Sequence, residues 1–247
     1  MRIPRFYQPG PLQTGQVLSL ADEVVQHVAR ALRMRVGEQI ELFNGDGYNY
    51  RATLTRVEKR SVEAHIEDAV AAEVESPLQV HIGQSISRGE RMDYAVQKAT
   101  ELGMAQLTPL LSERCEVKLN AERQDKRQRH WQQVAVSACE QSGRSTVPDV
   151  NGFQSLSAWC AQVDADLKFV LHHHSAAPLG TFEPPQSVAL LIGPEGGLTE
   201  AEVEQAMAHG FKPLALGPRV MRTETAPVAA QAVMHYLWGD MAGQASD

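Results

Sequence analysis

The sequence predicts an α/β protein in two parts: a small β-barrel over residues 1–72, then a larger domain over 73–247 with a largely parallel sheet. Three features predict it. The first third is a succession of short stretches divided by turn residues, the pattern of half-buried strands. From Leu78 onward strand-like and helix-like stretches alternate, as they do where crossover helices join parallel strands. Two of the later stretches, Leu167 to Leu171 and Val188 to Ile192, are short and apolar but for Lys168, as central strands covered on both faces are.

In the first part the strands are Gln16 to Leu20, Gln39 to Phe43, Tyr48 to Val57 and Ser61 to Ile66. Asn44-Gly-Asp-Gly47 forms a hairpin turn, because these residues tolerate positive φ. A short helix is expected where Val24, Val25 and Val28 share a face, with Asp22 near its start. The stretch from Ala69 to Pro77 has no strong period, and the domain boundary is placed there. A strand over Leu78 to Gln84 follows. Met92, Ala95, Val96, Ala99 and Leu102 then recur at helical spacing before the stop at Gly103. A strand over Gln106 to Leu111 and a long helix over about Ala121 to Gln141 come next. After the two apolar strands, Thr199-Glu-Ala-Glu202 fits a capping box, in which hydroxyl and carboxylate satisfy two orphan N–H groups, and Gly210 ends that helix. A last strand, Lys212 to Leu216, leads through a loop into an apolar helix ending near Trp238.

Composition narrows the function classes. No stretch approaches the length of a membrane span and the N-terminus lacks the apolar run of a signal peptide, so a soluble cytoplasmic protein is expected. Cys115, Cys139 and Cys160 form no C-x-x-C pair, and their odd number argues for buried thiols over a disulfide framework. The net charge of −7 speaks against indiscriminate attraction to nucleic acid. The first 72 residues carry nine of the 23 basic and nine of the 30 acidic side chains, so the whole excess falls on the remainder. Any contact with RNA must be local.

Two loops carry the chemistry. In Ile192-Gly-Pro-Glu-Gly-Gly197 a buried strand ends directly in glycines, so that backbone can approach a ligand at the carboxyl edge of the sheet. Its spacing is neither the dinucleotide fingerprint nor a phosphate loop ending in Lys-Ser/Thr. By itself such a turn is as readily explained by geometry. A second loop, Leu216-Gly-Pro-Arg-Val-Met-Arg-Thr-Glu-Thr-Ala226, again follows a strand, repeats Gly-Pro, and adds Arg219, Arg222 and Glu224. Two such loops at one sheet edge suggest a pocket.

Together the two loops resemble those of the knotted SPOUT-class methyltransferases. Lys98-Ala-Thr-Glu-Leu-Gly103, Ser112-Glu-Arg114 and Glu140-Gln-Ser-Gly-Arg144 are similar to motifs of the bacterial enzymes that methylate N3 of a uridine in the decoding region of 16S rRNA. The resemblance covers nearly the whole chain. It implies a PUA-like barrel that binds RNA, a trefoil-knotted second domain, a homodimer, and S-adenosylmethionine as methyl donor. The donor is then held by Leu171 and His172, by Ile192, Gly193, Pro194, Glu195, Gly196 and Gly197, and by Leu216, Gly217, Pro218, Val220, Met221, Arg222, Thr223 and Thr225. The alternatives are a non-catalytic RNA-binding or ribosome-assembly factor of the same fold and a methyltransferase for another RNA site, since fold does not dictate substrate.

Uracil N3 must lose its proton before it attacks a methyl sulfonium, which calls for a base or a group that stabilises the anion. Arg222 is the candidate for the charge, and Glu101 or Glu140 for orienting the base or taking the proton. For 16S rRNA or the small subunit, the candidate contacts are Arg2, Arg5, Arg30, Arg33 and Arg35, with Arg114 and Arg144 from the later motifs. Phe6, Tyr7, Tyr48 and Tyr50 offer stacking surfaces. A basic run from Arg114 through Lys118 to Arg129 reads more readily as a solvated helix face than as an RNA contact. His172-His-His174 lacks a companion ligand cluster, and no metal is expected.

Overall fold

The computed structural model describes residues 3–116, 119–172 and 179–243. The chain divides into two compact units, Met1–Glu75 with Val136–Val147, and Ser76–Ala135 with Pro148–Asp247. The division near residue 75 falls within the aperiodic stretch. The return of 136–147 to the first unit has no local signature, because residues 136–142 are the last turns of a helix that begins at Ala121.

The first unit is a five-stranded sheet in the order β1 (Arg5–Tyr7), β3 (Gln39–Phe43), β4 (Tyr48–Glu58), β5 (Ser61–Ala71), β2 (Val17–Ser19). All pairings are antiparallel except β1 with β3. Shifts of register at Arg51/Ala52 and Leu54/Arg56 bend the long hairpin. Alternate residues Ala52 and Leu54, and Val62, Ala64 and Ile66, point into the core, joined there by Val24, Val25 and Val28. Those valines come from α1 (Asp22–Val25), which continues into a π-helical turn over Gln26–Ala31.

A buried arginine organises the rest of this unit. Arg5 donates from Nε to Glu41 at 2.8 Å, from Nη1 to the Cys139 carbonyl at 2.7 Å, and from Nη2 to Asn49 and the Arg144 carbonyl at 2.9 and 2.8 Å. Its guanidinium also lies 4.0 Å from the Phe43 ring centroid. Arg144 is likewise buried, and its guanidinium pairs with Glu75. Both were expected to face RNA. Both are spent inside the unit, where a planar fork with several fixed acceptors replaces the water a buried cation loses.

The second unit is a seven-stranded sheet. Its order is β12 (Lys212–Leu214), β10 (Leu167–Leu171), β11 (Ser187–Ile192), β6 (Gln79–Ser85), β7 (Gln106–Leu111), β8 (Asp149–Val150), with β9 (Gln154–Ser155) also on β7. Every pairing is parallel. The two predominantly apolar stretches are β10, where Lys168 is the one charged residue, and β11, both interior to the sheet. The helices are α2 (Arg91–Glu101), α3 (Ala121–Ser142), α4 (Leu156–Gln162), α5 (Glu200–Ala208) and α6 (Thr225–Trp238). Apolar side chains from α2, α3 and α6, including Met92, Val96, Trp131 and Met234, form a core with Val80, Ile82 and Leu190. A second cluster joins α4 and α5 to Ala189 and Leu191 of β11. Alternate residues of one strand thus enter different clusters, which is why its sequence is apolar without a break.

Trp159 of α4 stacks its ring where a Cβ on Gly83 of β6 would come within 2.5 Å of it, so that strand position admits only glycine. The same indole N–H donates to His81 Nε2 at 3.3 Å, and Thr108 also meets that nitrogen at 2.8 Å. Burial pushes the His81 pKa down to about 4. Cys139 and Cys160 are buried free thiols, each raised to about 11 chiefly by burial. Among the described residues no helix is long and apolar enough to cross a membrane.

Candidate active site

β10, β11 and β12 are neighbours and run in the same direction, so their carboxyl ends lie side by side. The loops after β11 and β12 rise from that edge and, with the end of β10, enclose a cavity of about 680 Å³. This is within the usual size range of small-molecule sites, roughly 300–1,000 Å³. Leu171, His172, the whole of Ile192–Gly197, and Leu216, Gly217, Pro218, Val220, Met221, Arg222 and Thr223 line it. Thr225, expected with them, instead lines a neighbouring cavity.

The first of the two loops is tightly built. A Cβ on Gly193 would lie 3.0 Å from the Leu198 side chain and 3.1 Å from its backbone nitrogen, so any other residue there forces the Leu198 backbone to shift by a few tenths of an ångström. Thr199 and Glu202 form the expected capping box at the exit, with the Thr199 N–H donating to Glu202 at 2.8 Å. The buried Glu202 carboxylate also accepts the Glu113 N–H at 2.8 Å. Arg114 donates to the Gly196 carbonyl at 3.0 Å and lines the cavity, so this residue, expected at RNA, braces the loop. Glu195 accepts the Arg88 N–H at 2.9 Å and pairs with Arg91. Burial alone would raise its carboxyl, but those hydrogen bonds and the Arg91 charge outweigh it and hold the pKa below the ordinary value.

The second loop is open. Gly217 has φ +76°, a left-handed conformation that turns the chain away from β12. Arg219, Val220 and Arg222 are exposed, Val220 at 87%. One residue ties this loop down. The buried Thr223 donates its hydroxyl to the Gly193 carbonyl at 2.8 Å and accepts from Gln84 Nε2 at 2.9 Å, joining both loops to the end of β6. The Arg222 carbonyl accepts the N–H groups of both Thr225 and Ala226 at the start of α6.

The cavity offers apolar surface from Leu171, Ile192, Leu216 and Met221, together with Arg91, Arg114, Arg219 and Arg222 and the carboxylates Glu195 and Glu224. A ligand with a flat apolar ring and a charged tail of both signs matches that set. Neither glutamate expected to act as base is there. Glu101 pairs with Lys98 at 2.8 Å on α2 and does not line the cavity. Glu140 belongs to the first unit, where it accepts the Tyr7 N–H at 2.9 Å, and burial raises its carboxyl against that bond.

In the first unit Arg30, Arg33 and Arg35 are exposed, while Phe6 and Tyr50 are core residues and Tyr48 remains exposed. Tyr50 also donates to Asp46 at 2.7 Å, and burial with that bond pushes its pKa to about 12. Arg2, Lys118, His173 and His174 lie outside the described residues. Among the described residues no three His, Cys, Asp or Glu side chains are grouped to hold a metal. Sequence reasoning missed Arg91 of α2, which lines the cavity, and Gln84 near the end of β6, which fastens Thr223, and no local motif marks either.

A family described as an RNA methyltransferase domain matches residues 74–235, and one described as an RNA methyltransferase PUA domain matches 20–67. The ribosomal RNA small subunit methyltransferase E of Buchnera aphidicola is 35% identical, over 97% of this chain and 98% of its own length. A solved structure of the enzyme of the same description from Neisseria gonorrhoeae, bound to S-adenosyl methionine, is 43% identical. It covers 97% of this chain and 99% of its own with a TM-score of 0.91. A Legionella pneumophila protein described as a methyltransferase and solved with bound cofactor SAM is also 43% identical, covering 97% and 100% with a TM-score of 0.94.

Proposed function

The chain belongs to the RNA methyltransferase family, and from that premise we propose that it transfers a methyl group from S-adenosylmethionine to N3 of a uridine in the decoding region of 16S rRNA. The observation that carries the reading is the cavity enclosed by both glycine loops, with Arg222 exposed on its wall. Adenine fits against Leu171, Ile192, Leu216 and Met221, while Glu195, Arg91 and Arg114 suit the charged methionine end. The donor supplies an electrophilic methyl group. Arg222 stabilises negative charge on the uracil oxygens as N3 loses its proton. The exposed Arg30, Arg33 and Arg35 of the PUA-like unit take the rRNA backbone.

The same reading includes a trefoil-knotted chain path, action in the cytoplasm where ribosomal RNA is found, and a homodimer. Val233, Tyr236 and Leu237 on α6, 40%, 61% and 41% exposed, supply an apolar face for the second copy. The test is transfer of labelled methyl from S-adenosylmethionine to purified small-subunit rRNA and to the assembled subunit. Label at a uracil N3 is expected. Folded, donor-binding protein that labels neither substrate rejects the proposal.

A further inference from the structure

Two carboxylates line the donor cavity, and they differ in what they already hold. Glu195 accepts a backbone N–H and the Arg91 guanidinium. Glu224, the residue before α6, has Oε2 buried without a hydrogen-bond partner. Its cation, Arg91, stands 3.8 Å from that oxygen, beyond hydrogen-bond reach. A buried acceptor left without a donor is uncommon and asks for one.

Its position shows where that donor would come from. Glu224 lines both the donor cavity and a second cavity of about 750 Å³ beside it, whose wall sets Arg88, Arg91 and Tyr94 among the further carboxylates Glu90, Glu116 and Glu195. Tyr94 is 47% exposed, an aromatic surface of the kind on which an unstacked base rests. Arg88 is exposed and pairs with Glu116 in solvent, an ion pair weak enough for a phosphate to displace. The carboxylate therefore stands at the junction between a place for a methyl donor and a place for a nucleotide.

We propose that the second cavity receives the target uridine and that Glu224 is the base that takes its N3 proton. This inference rests on the methyl-transfer reading above. The N3–H bond breaks and its proton passes to Oε2. The electron pair left on N3 forms the bond to the methyl carbon as the carbon–sulfur bond breaks, and those electrons stay on sulfur. The proton then leaves Glu224 for solvent. Glu101 and Glu140, which the sequence offered for this step, do not face the cavity.

The test compares wild type, Glu224→Gln and Glu224→Asp in single-turnover methylation of small-subunit RNA across pH, with donor binding followed by calorimetry. Glu224→Gln is expected to slow transfer by about 10²-fold or more, in the range for loss of a general base, with donor affinity within about threefold. Glu224→Asp, which keeps a carboxylate, is expected to retain the wild-type pH profile at a lower rate. Substitution of 5-fluorouridine at the target makes the N3 proton more acidic and is expected to restore Glu224→Gln far more than it speeds wild type. A Glu224→Gln rate within about threefold of wild type, or a slow rate that 5-fluorouridine leaves unchanged, overturns the role of Glu224 while leaving methyl transfer standing. Wild-type protein that methylates no uracil N3 overturns the parent reading and this one with it.

Discussion

The loop after β11 is fastened along its length, by Arg114 at Gly196, by Arg88 and Arg91 at Glu195, and by the capping box at Thr199. The loop after β12, rising from the same sheet edge, is held mainly through the Thr223 hydroxyl, and its arginines stand in solvent. The difference teaches a division of labour. A wall that shapes a ligand site gains from rigidity, because ordering it in advance removes that cost from binding. A wall that closes over a second substrate gains from freedom to move, and low local packing is the physical form of that freedom.

The largest expected effect tests the open loop. Arg222→Ala should lower turnover by about 10²-fold, the usual loss for one charge-stabilising donor, with donor affinity nearly unchanged. Calorimetry beside single-turnover rates checks it, and a loss confined to donor affinity would make the open loop part of the wall. Next, Gly193→Ala should destabilise the second unit by about 2 kcal/mol and weaken donor binding, because its Cβ meets the Leu198 backbone. Gly217→Ala, in the open loop, should cost only about 1 kcal/mol for its left-handed backbone. Equal costs in thermal unfolding would erase the contrast between the loops.

Thr223→Val should weaken donor binding and cost about 1–2 kcal/mol, since Gln84 Nε2 and the Gly193 carbonyl lose a buried partner, and Thr223→Ser should restore both. Denaturant unfolding with donor titration follows it. The smallest effect lies in the sheet beneath both loops. His81 has a folded pKa of about 4, below its unfolded value of about 6.5, so the unfolded chain binds more protons between those limits. Stability is therefore full above pH 6.5 and is lost as pH falls toward 4. Its share of that loss is about 1 kcal/mol from pH 7.5 to pH 5.5. Replacement of His81 by Gln should flatten this part of the pH–stability curve.

The parallel sheet was legible because buried strands repeat short apolar runs, and β10 and β11 lie where those runs predict. The α5 start was legible for a local reason as well, since Thr199 and Glu202 satisfy each other three residues apart. Other elements were not. β1 pairs with a strand more than thirty residues away, β8 and β9 are two residues each, and α4 offers only two turns of periodicity. Each owes its form to neighbours distant in the chain.

By itself the sequence determined that two glycine loops follow adjacent strand patterns in a chain of the RNA methyltransferase family, because glycine positions, caps and apolar runs are local properties. Only the tertiary structure decided what the charged residues do. Arg5 reaches a carbonyl 134 residues away, and Arg144 an acid 69 residues back, so each reads as a free cation until the chain folds around it. Glu224 reads as one acid among thirty until the fold sets it in the walls of two cavities with one carboxylate oxygen buried. A charge takes its role from its partners and its access to water, and long-range contacts set both.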